Sequence, residues 1–168
     1  MGIRFIIFFI LLVLQAGWTG RTVSDFKLKN IDNSWTTYSE VKGEKLTVID
    51  FWATWCKPCT RAIPKLNKLS EQFKNDGVAF IGINVDSPRN SAKIKPFTKT
   101  HKIIYSVLLD PNSAFASELG IVNIPTIIII NGDQEIVYTH KGYRPGDELV
   151  IEQEILKILK ATENKVEK

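Results

Sequence analysis

The chain has 168 residues, 44% of them hydrophobic, and a formal net charge of +4. That length suits one domain plus a processed end, and the apolar content is ample for a core. The lysines are scattered rather than clustered, which excludes a nucleic-acid footprint, and there is neither an internal repeat nor a linker to a second domain.

In chain order, Arg4 stands first, before the apolar run Phe5 to Leu14. Ten residues are too few for a spanning helix, which needs about twenty. A short positive segment ahead of an apolar core is instead the pattern of a secretory signal peptide. Cleavage is expected near Ala16 or Gly17, although a large residue sits three positions before either. Left uncleaved, the segment would anchor the chain to a membrane through residues 5–14; no cysteine follows that would carry a lipoprotein anchor. The expected division is residues 1–20 as signal peptide or anchor and residues 21–168 as the domain. Export would place it in a periplasmic or other extracytoplasmic compartment, where disulfides persist.

Phe26–Lys29 and Trp35–Tyr38 read as short strands around the polar turn Asp32-Asn33-Ser34. Leu46–Trp52 is apolar and β-branched nearly throughout, the composition of a buried central strand. The spacing of Ile63, Leu66, Leu69 and Phe73 predicts a helix from Cys56 to about Lys74, ended by Asn75-Asp76-Gly77. Val78–Val85 is the next strand, Asp86-Ser87-Pro88 a turn and Ser91–His101 a helix. A short strand, Tyr105–Leu109, a turn, Asp110-Pro111-Asn112, and a short helix, Ser113–Leu119, come next. Thr126–Ile130 and Ile136–His140 form a hairpin across Asn131-Gly132-Asp133-Gln134. Leu149–Leu159 is a closing amphipathic helix, and residues 162–168 a polar, frayed tail. The order is that of an α/β domain.

Between the central strand and its helix lies Trp55-Cys56-Lys57-Pro58-Cys59, which holds the only two cysteines of the chain. At the start of a helix this spacing places the sulfurs one turn apart, close enough to form a small disulfide ring. Unpaired N–H groups and the helix dipole favour an anion at Cys56, and Lys57 adds a positive charge. Cys59, a turn deeper, is expected to be less exposed. Cys56 then attacks a partner's disulfide and Cys59 resolves the mixed disulfide. In an oxidising compartment a lone pair is commonly a structural staple, but tight spacing at a helix start favours catalysis.

Phe51 to Cys59 resembles the active-site motif of the thioredoxin superfamily, and the chain from about Val23 to Ala161 resembles its secreted TlpA/ResA-like branch. Pro64 matches the proline that kinks the active-site helix, and Ile124-Pro125-Thr126 the cis-proline segment facing the disulfide. Asn131-Gly132 and Gly142 match the closing hairpin and its glycine, and Asp25-Phe26-Lys27-Leu28 the first strand of the branch. The resemblance implies a thioredoxin fold: a central mixed sheet flanked by helices, with an N-terminal hairpin and an extra strand–helix unit within residues 86–120. It also implies a monomer without metal or organic cofactor that exchanges disulfides with cysteine-containing proteins. The implied role is that of a reductant, in cytochrome c maturation, recharged by a membrane thiol-transfer protein. Pro125 and the Ile124 backbone would form a docking edge for an extended peptide, with Trp55, Lys57 and Pro58 beside it.

Asp50 interrupts the apolar strand six residues before Cys56. A buried carboxylate is costly and tends to stay protonated; the alternative is an aspartate turned to solvent or capping a loop. The resemblance implies that Asp50 relays a proton to or from Cys59. Two departures accompany it: Ala62 stands where the branch often has a glutamate, and Gly82 where thioredoxins often have a lysine near the aspartate. Other chemistry is less well supported. His101 and His140 show no zinc-ligand spacing with the cysteines, no serine has nucleophile-elbow glycines, and the peroxidatic Pro-x-x-x-Thr-x-x-Cys pattern is absent around Cys56. An oxidase or isomerase, or a binding module with a structural disulfide, are the competing readings.

Overall fold

The computed structural model describes residues 20–166. The expected signal peptide or anchor therefore lies outside the described residues, apart from Gly20. The strands are β1 (Lys27–Asn30), β2 (Trp35–Thr37), β3 (Leu46–Trp52), β4 (Val78–Asn84), β5 (Ser106–Leu109), β6 (Thr126–Asn131) and β7 (Ile136–Lys141). The helices are α1 (Tyr38–Val41), α2 (Lys57–Phe73), α3 (Ser91–Thr100), α4 (Ala114–Glu118) and α5 (Asp147–Val166). The strands form one sheet in the order β2-β1-β5-β4-β3-β6-β7.

β3, whose seven residues are all buried, lies inside the sheet, as its composition requires. It runs parallel to β4, and β4 runs parallel to β5. Parallel neighbours need a crossover, and α2 and α3 supply the two. β6 pairs antiparallel with β3, and β7 with β6, while β1 closes the other flank against β5. Side chains alternate along β3. Leu46 and Val48 pack with Leu66, Leu69 and Phe73 of α2 and Ile151 and Ile155 of α5. Ile49 and Phe51 point the other way, to Phe26, Tyr38, Phe115 and Leu119. A third cluster joins Trp52 to Cys56, Cys59, Ile94 and Val107 at the strand's C-terminal end. The disulfide thus caps the core.

The structure shifts several expected boundaries by a residue or two, and α5 begins at Asp147. Tyr38 was expected to end a strand but opens α1: the Glu40 carboxylate accepts the Thr37 N–H at 2.7 Å, and the buried Tyr38 hydroxyl donates to Thr47 Oγ1 at 3.2 Å. Tyr105 was expected in a strand but precedes β5. The tail expected to fray from residue 162 continues α5 to Val166, because Thr162 Oγ1 donates to the Ile158 carbonyl at 3.0 Å and Glu163 pairs with Lys45 at 3.5 Å.

Candidate active site

Where β3 ends, the Cys56 N–H bonds the Ala53 carbonyl at 3.1 Å and the chain turns into α2. Cys56 is the N-cap, and its Sγ accepts the Cys59 N–H at 3.2 Å. The sulfur therefore takes up one of the first-turn N–H groups at the positive end of a 17-residue helix, where an anion is favoured. Pro58, in the first turn, loses no helix bond there. The two sulfurs are bonded, with Cα atoms 5.3 Å apart. Cys59 is fully buried and Cys56 is 4% exposed, so the order of access is the expected one. Trp55 and Lys57 are exposed and Pro58 is half-buried.

The loop before Cys56 is pinned from β4. Asp86, buried, accepts the Thr54 N–H at 2.7 Å, the Thr54 hydroxyl at 2.9 Å and the Asn84 amide at 2.8 Å. Read in the sequence only as part of a turn, Asp86 is a positioning residue for the active-site loop. The Ile124–Pro125 peptide is cis, as the resemblance implied. Ile124 packs against the cluster that holds both cysteines. The Pro125 carbonyl accepts the Gly142 N–H at 2.8 Å, whereas the N–H and C=O of Ile124 have no hydrogen-bond partner among the described residues. A cleft of about 410 Å³ opens beside it, walled by Trp55, Val85, Ala116, Ile121, Val122 and Ile124. The α4 wall of this cleft had no signal in the sequence beyond a short amphipathic segment.

Asp50 is buried on β3, in register with Gly82 of β4 and Ile127 of β6. It shares its face with Val48 and Trp52, the face that α2 covers with Cys59 and Ala62. Its Oδ2 accepts the Tyr105 hydroxyl at 3.5 Å, while Oδ1 has no partner among the described residues. Burial pushes the Asp50 carboxyl up to about 7, and the Tyr105 hydrogen bond offsets part of that rise. Tyr105 was missed in the sequence. The available signal was Gly82, since a glycine inside a buried strand marks a close approach.

Trp52 is fully buried and stacks on Phe97, with centroids 5.2 Å apart. The two histidines are engaged apart from each other: His101 lies on Phe97, and His140 Nε2 is 3.0 Å from Asp147 Oδ2.

A disulfide at a helix N-terminus, a cis-proline beside it and a buried carboxyl on the strand behind define a thioredoxin-fold thiol–disulfide oxidoreductase. The sequence matches the AhpC/TSA family over residues 19–139, and the chain belongs to that family, within its ResA-like thioredoxin branch. It is 27% identical over 130 residues to the thiol-disulfide oxidoreductase ResA of Bacillus thuringiensis subsp. konkukian, covering 77% of this chain and 73% of that protein. It is 30% identical to the thioredoxin-like protein YneN of Bacillus subtilis, over 73% of this chain and 71% of YneN. The crystal structure of Bacillus subtilis StoA superposes with a TM-score of 0.64 at 26% identity, over 77% of this chain and 96% of StoA. A Chlorobium tepidum structure, provisionally assigned as the thiol:disulfide interchange protein DsbE, superposes at 0.75 with 28% identity, over 83% and 96% of the two chains.

Proposed function

We propose that this protein acts outside the cytoplasm as a reductant of protein disulfides, with apocytochrome c before haem attachment as its substrate class. The observation that carries the reading is the arrangement of Cys56 Sγ on the helix N-terminus, with Cys59 buried one turn inward. The Cys56 thiolate attacks one sulfur of the substrate disulfide, forming a mixed disulfide and expelling a substrate thiolate. Cys59 then gives its proton to Asp50, attacks Cys56 Sγ and expels the second substrate sulfur as a thiolate. Two electrons pass to the substrate, and the Cys56–Cys59 disulfide seen here is the product. A membrane thiol-transfer protein would return the pair to the dithiol. Support for an extended substrate on the docking edge comes from the unpaired N–H and C=O of Ile124 beside the disulfide.

The same helix N-terminus supports a second reading. Stabilising the Cys56 thiolate favours the dithiol and so makes the disulfide a stronger oxidant, as an oxidase or isomerase requires. A redox titration of the pair separates the two, because about 30 mV is a tenfold change in the two-electron equilibrium. Trapping tests the substrate class. Cys59→Ala keeps the attacking thiol and removes the resolving one, so it is expected to accumulate covalent complexes in the exported compartment, and Cys56→Ala far fewer. Captured proteins bearing Cys-x-x-Cys-His support the cytochrome reading; a broad set of newly exported proteins supports the oxidase. If neither variant traps anything while folded and exported, the pair is a staple.

A further inference from the structure

We infer that the Tyr105 hydroxyl is a positioning group for Asp50: it occupies Oδ2 and leaves Oδ1 as the atom that exchanges a proton with Cys59. This rests on the role proposed above for Asp50.

The geometry comes from a missing side chain. Gly82 lies directly across from Asp50 in the β3–β4 pair. A Cβ at Gly82 would stand 2.8 Å from Trp52 Nε1, closer than packed atoms come, and 3.1 Å from Tyr105 Cε2, a tight contact the ring would have to yield to. Glycine leaves room for the indole and lets the phenol ring sit close, and Tyr105 so placed brings its hydroxyl to Oδ2 at 3.5 Å. Tyr105 reaches this place because it precedes β5, next to β4 in the sheet, where Val107 pairs with Gly82 two residues later.

The two oxygens of Asp50 are thereby made different. A phenol at ordinary pH donates its proton, so Oδ2 is an acceptor. When the carboxyl is neutral its own proton belongs on Oδ1, the buried atom without a partner among the described residues. Of the side chains covering this face of β3, Val48, Trp52, Ala62, Leu66 and Ile127 do not titrate, and Gly82 has none. Among the described residues Tyr105 is the titratable group that bears on Asp50, and Cys59, once reduced, adds a second on the helix that covers this face. Removing the hydroxyl removes a donor that favours the carboxylate, so Asp50 holds its proton to higher pH.

The test is Tyr105→Phe, which keeps the ring and loses the oxygen. Asp50 is followed by carboxyl ¹³C NMR in the oxidised protein, and the release of a mixed disulfide by the reduced protein is followed against pH. In Y105F the Asp50 titration is expected to move up by about one pH unit, the worth of one hydrogen bond. The rising limb of the release profile should move with it, and in a Asp50→Asn background Y105F should move nothing. An unmoved Asp50 titration in a folded Y105F overturns the inference. Should Y105F fail to fold, exchanging the tyrosines for 3-fluorotyrosine supplies a stronger donor of nearly the same shape. Asp50 must then titrate at lower pH, and no movement overturns the inference. The readouts separate this inference from the one beneath it. A release profile unchanged by D50N removes the relay role of Asp50, whereas the NMR titration reports on the Tyr105–Asp50 contact itself.

Discussion

Asp50 ties stability to pH, because its carboxyl is buried on β3. An unfolded aspartate titrates near ~3.9, while in the fold burial holds Asp50 up to about 7. Below the unfolded value both states carry the proton and Asp50 costs the fold nothing. As pH rises toward 7 the unfolded chain releases its proton and the folded chain keeps it, so stability falls across that window. The loss levels off above the folded value, at an upper bound on the order of 4 kcal/mol. Asp50→Asn cannot ionise and should lack that slope. In urea titrations at pH 4.5 and pH 8 the variant is expected to gain on the native protein at the higher pH by a few kcal/mol, while resolving mixed disulfides more slowly. Parallel stability curves for the two chains would mean that the carboxyl ionises as freely in the fold as in water.

At the scale of elements, α4 is a five-residue helix and needs its cap. Asp110, buried at the end of β5, provides it: Oδ1 accepts the Phe115 N–H at 3.3 Å and Oδ2 the Ala116 N–H at 2.9 Å. Asp110→Ala leaves both donors unsatisfied, at a cost of about 1–2 kcal/mol. Because α4 forms one wall of the cleft beside Trp55, amide exchange over residues 114–118 should accelerate, while reduction of the disulfide by dithiothreitol stays unchanged. Unaltered exchange there would show that packing of Phe115 and Leu119 alone holds the helix. Elements with a strong local pattern were legible in the sequence: β3 by its unbroken apolar run, α2 by its spacing and Cys-x-x-Cys start. α1 was not, since four residues carry no period and its capping contact to Glu40 replaced a strand ending. Cys56, Cys59, Pro125 and Asp50 could be named from their spacing or resemblance. Tyr105 and Asp86 could not, because their roles depend on which strand lies beside which, and that order, β5-β4-β3, is set by crossovers and not by any local run of residues.

For the whole molecule, charge at the disulfide end governs encounter. Lys57 and Arg61 stand exposed at the start of α2, Lys141 ends β7 where it pairs with Thr126 beside Pro125, and Arg144 follows. Among the described residues none of these four forms a salt bridge. Most carboxylates at this end are turned inward or already paired, whereas Glu118 of α4 stands exposed. Asp86 holds Thr54, and Asp110 caps α4. Asp147 pairs with His140, and Glu148 takes the Tyr143 hydroxyl at 2.7 Å and Lys65 at 3.3 Å. The hydrogen bond from Tyr143 holds the Glu148 carboxyl down at about 2, so it stays ionised yet committed to its partners. The exposed charges beside the disulfide that have no salt-bridge partner among the described residues, Lys57 and Arg61, are therefore positive. Fields of this kind raise the association rate of an oppositely charged partner and fade as salt shortens their range, from about 30 Å at 0.01 M to about 3 Å at 1 M. A disulfide peptide with acidic flanks should thus react with the reduced protein about tenfold more slowly at high salt than at low. A neutral small disulfide should show no such dependence. Arg61→Glu with Arg144→Glu, both away from the sulfurs, should flatten the salt dependence of the acidic peptide and leave the neutral substrate's rate as it was. A basic-flanked peptide that outpaced the acidic one at low salt would mean the field at the disulfide has the opposite sign.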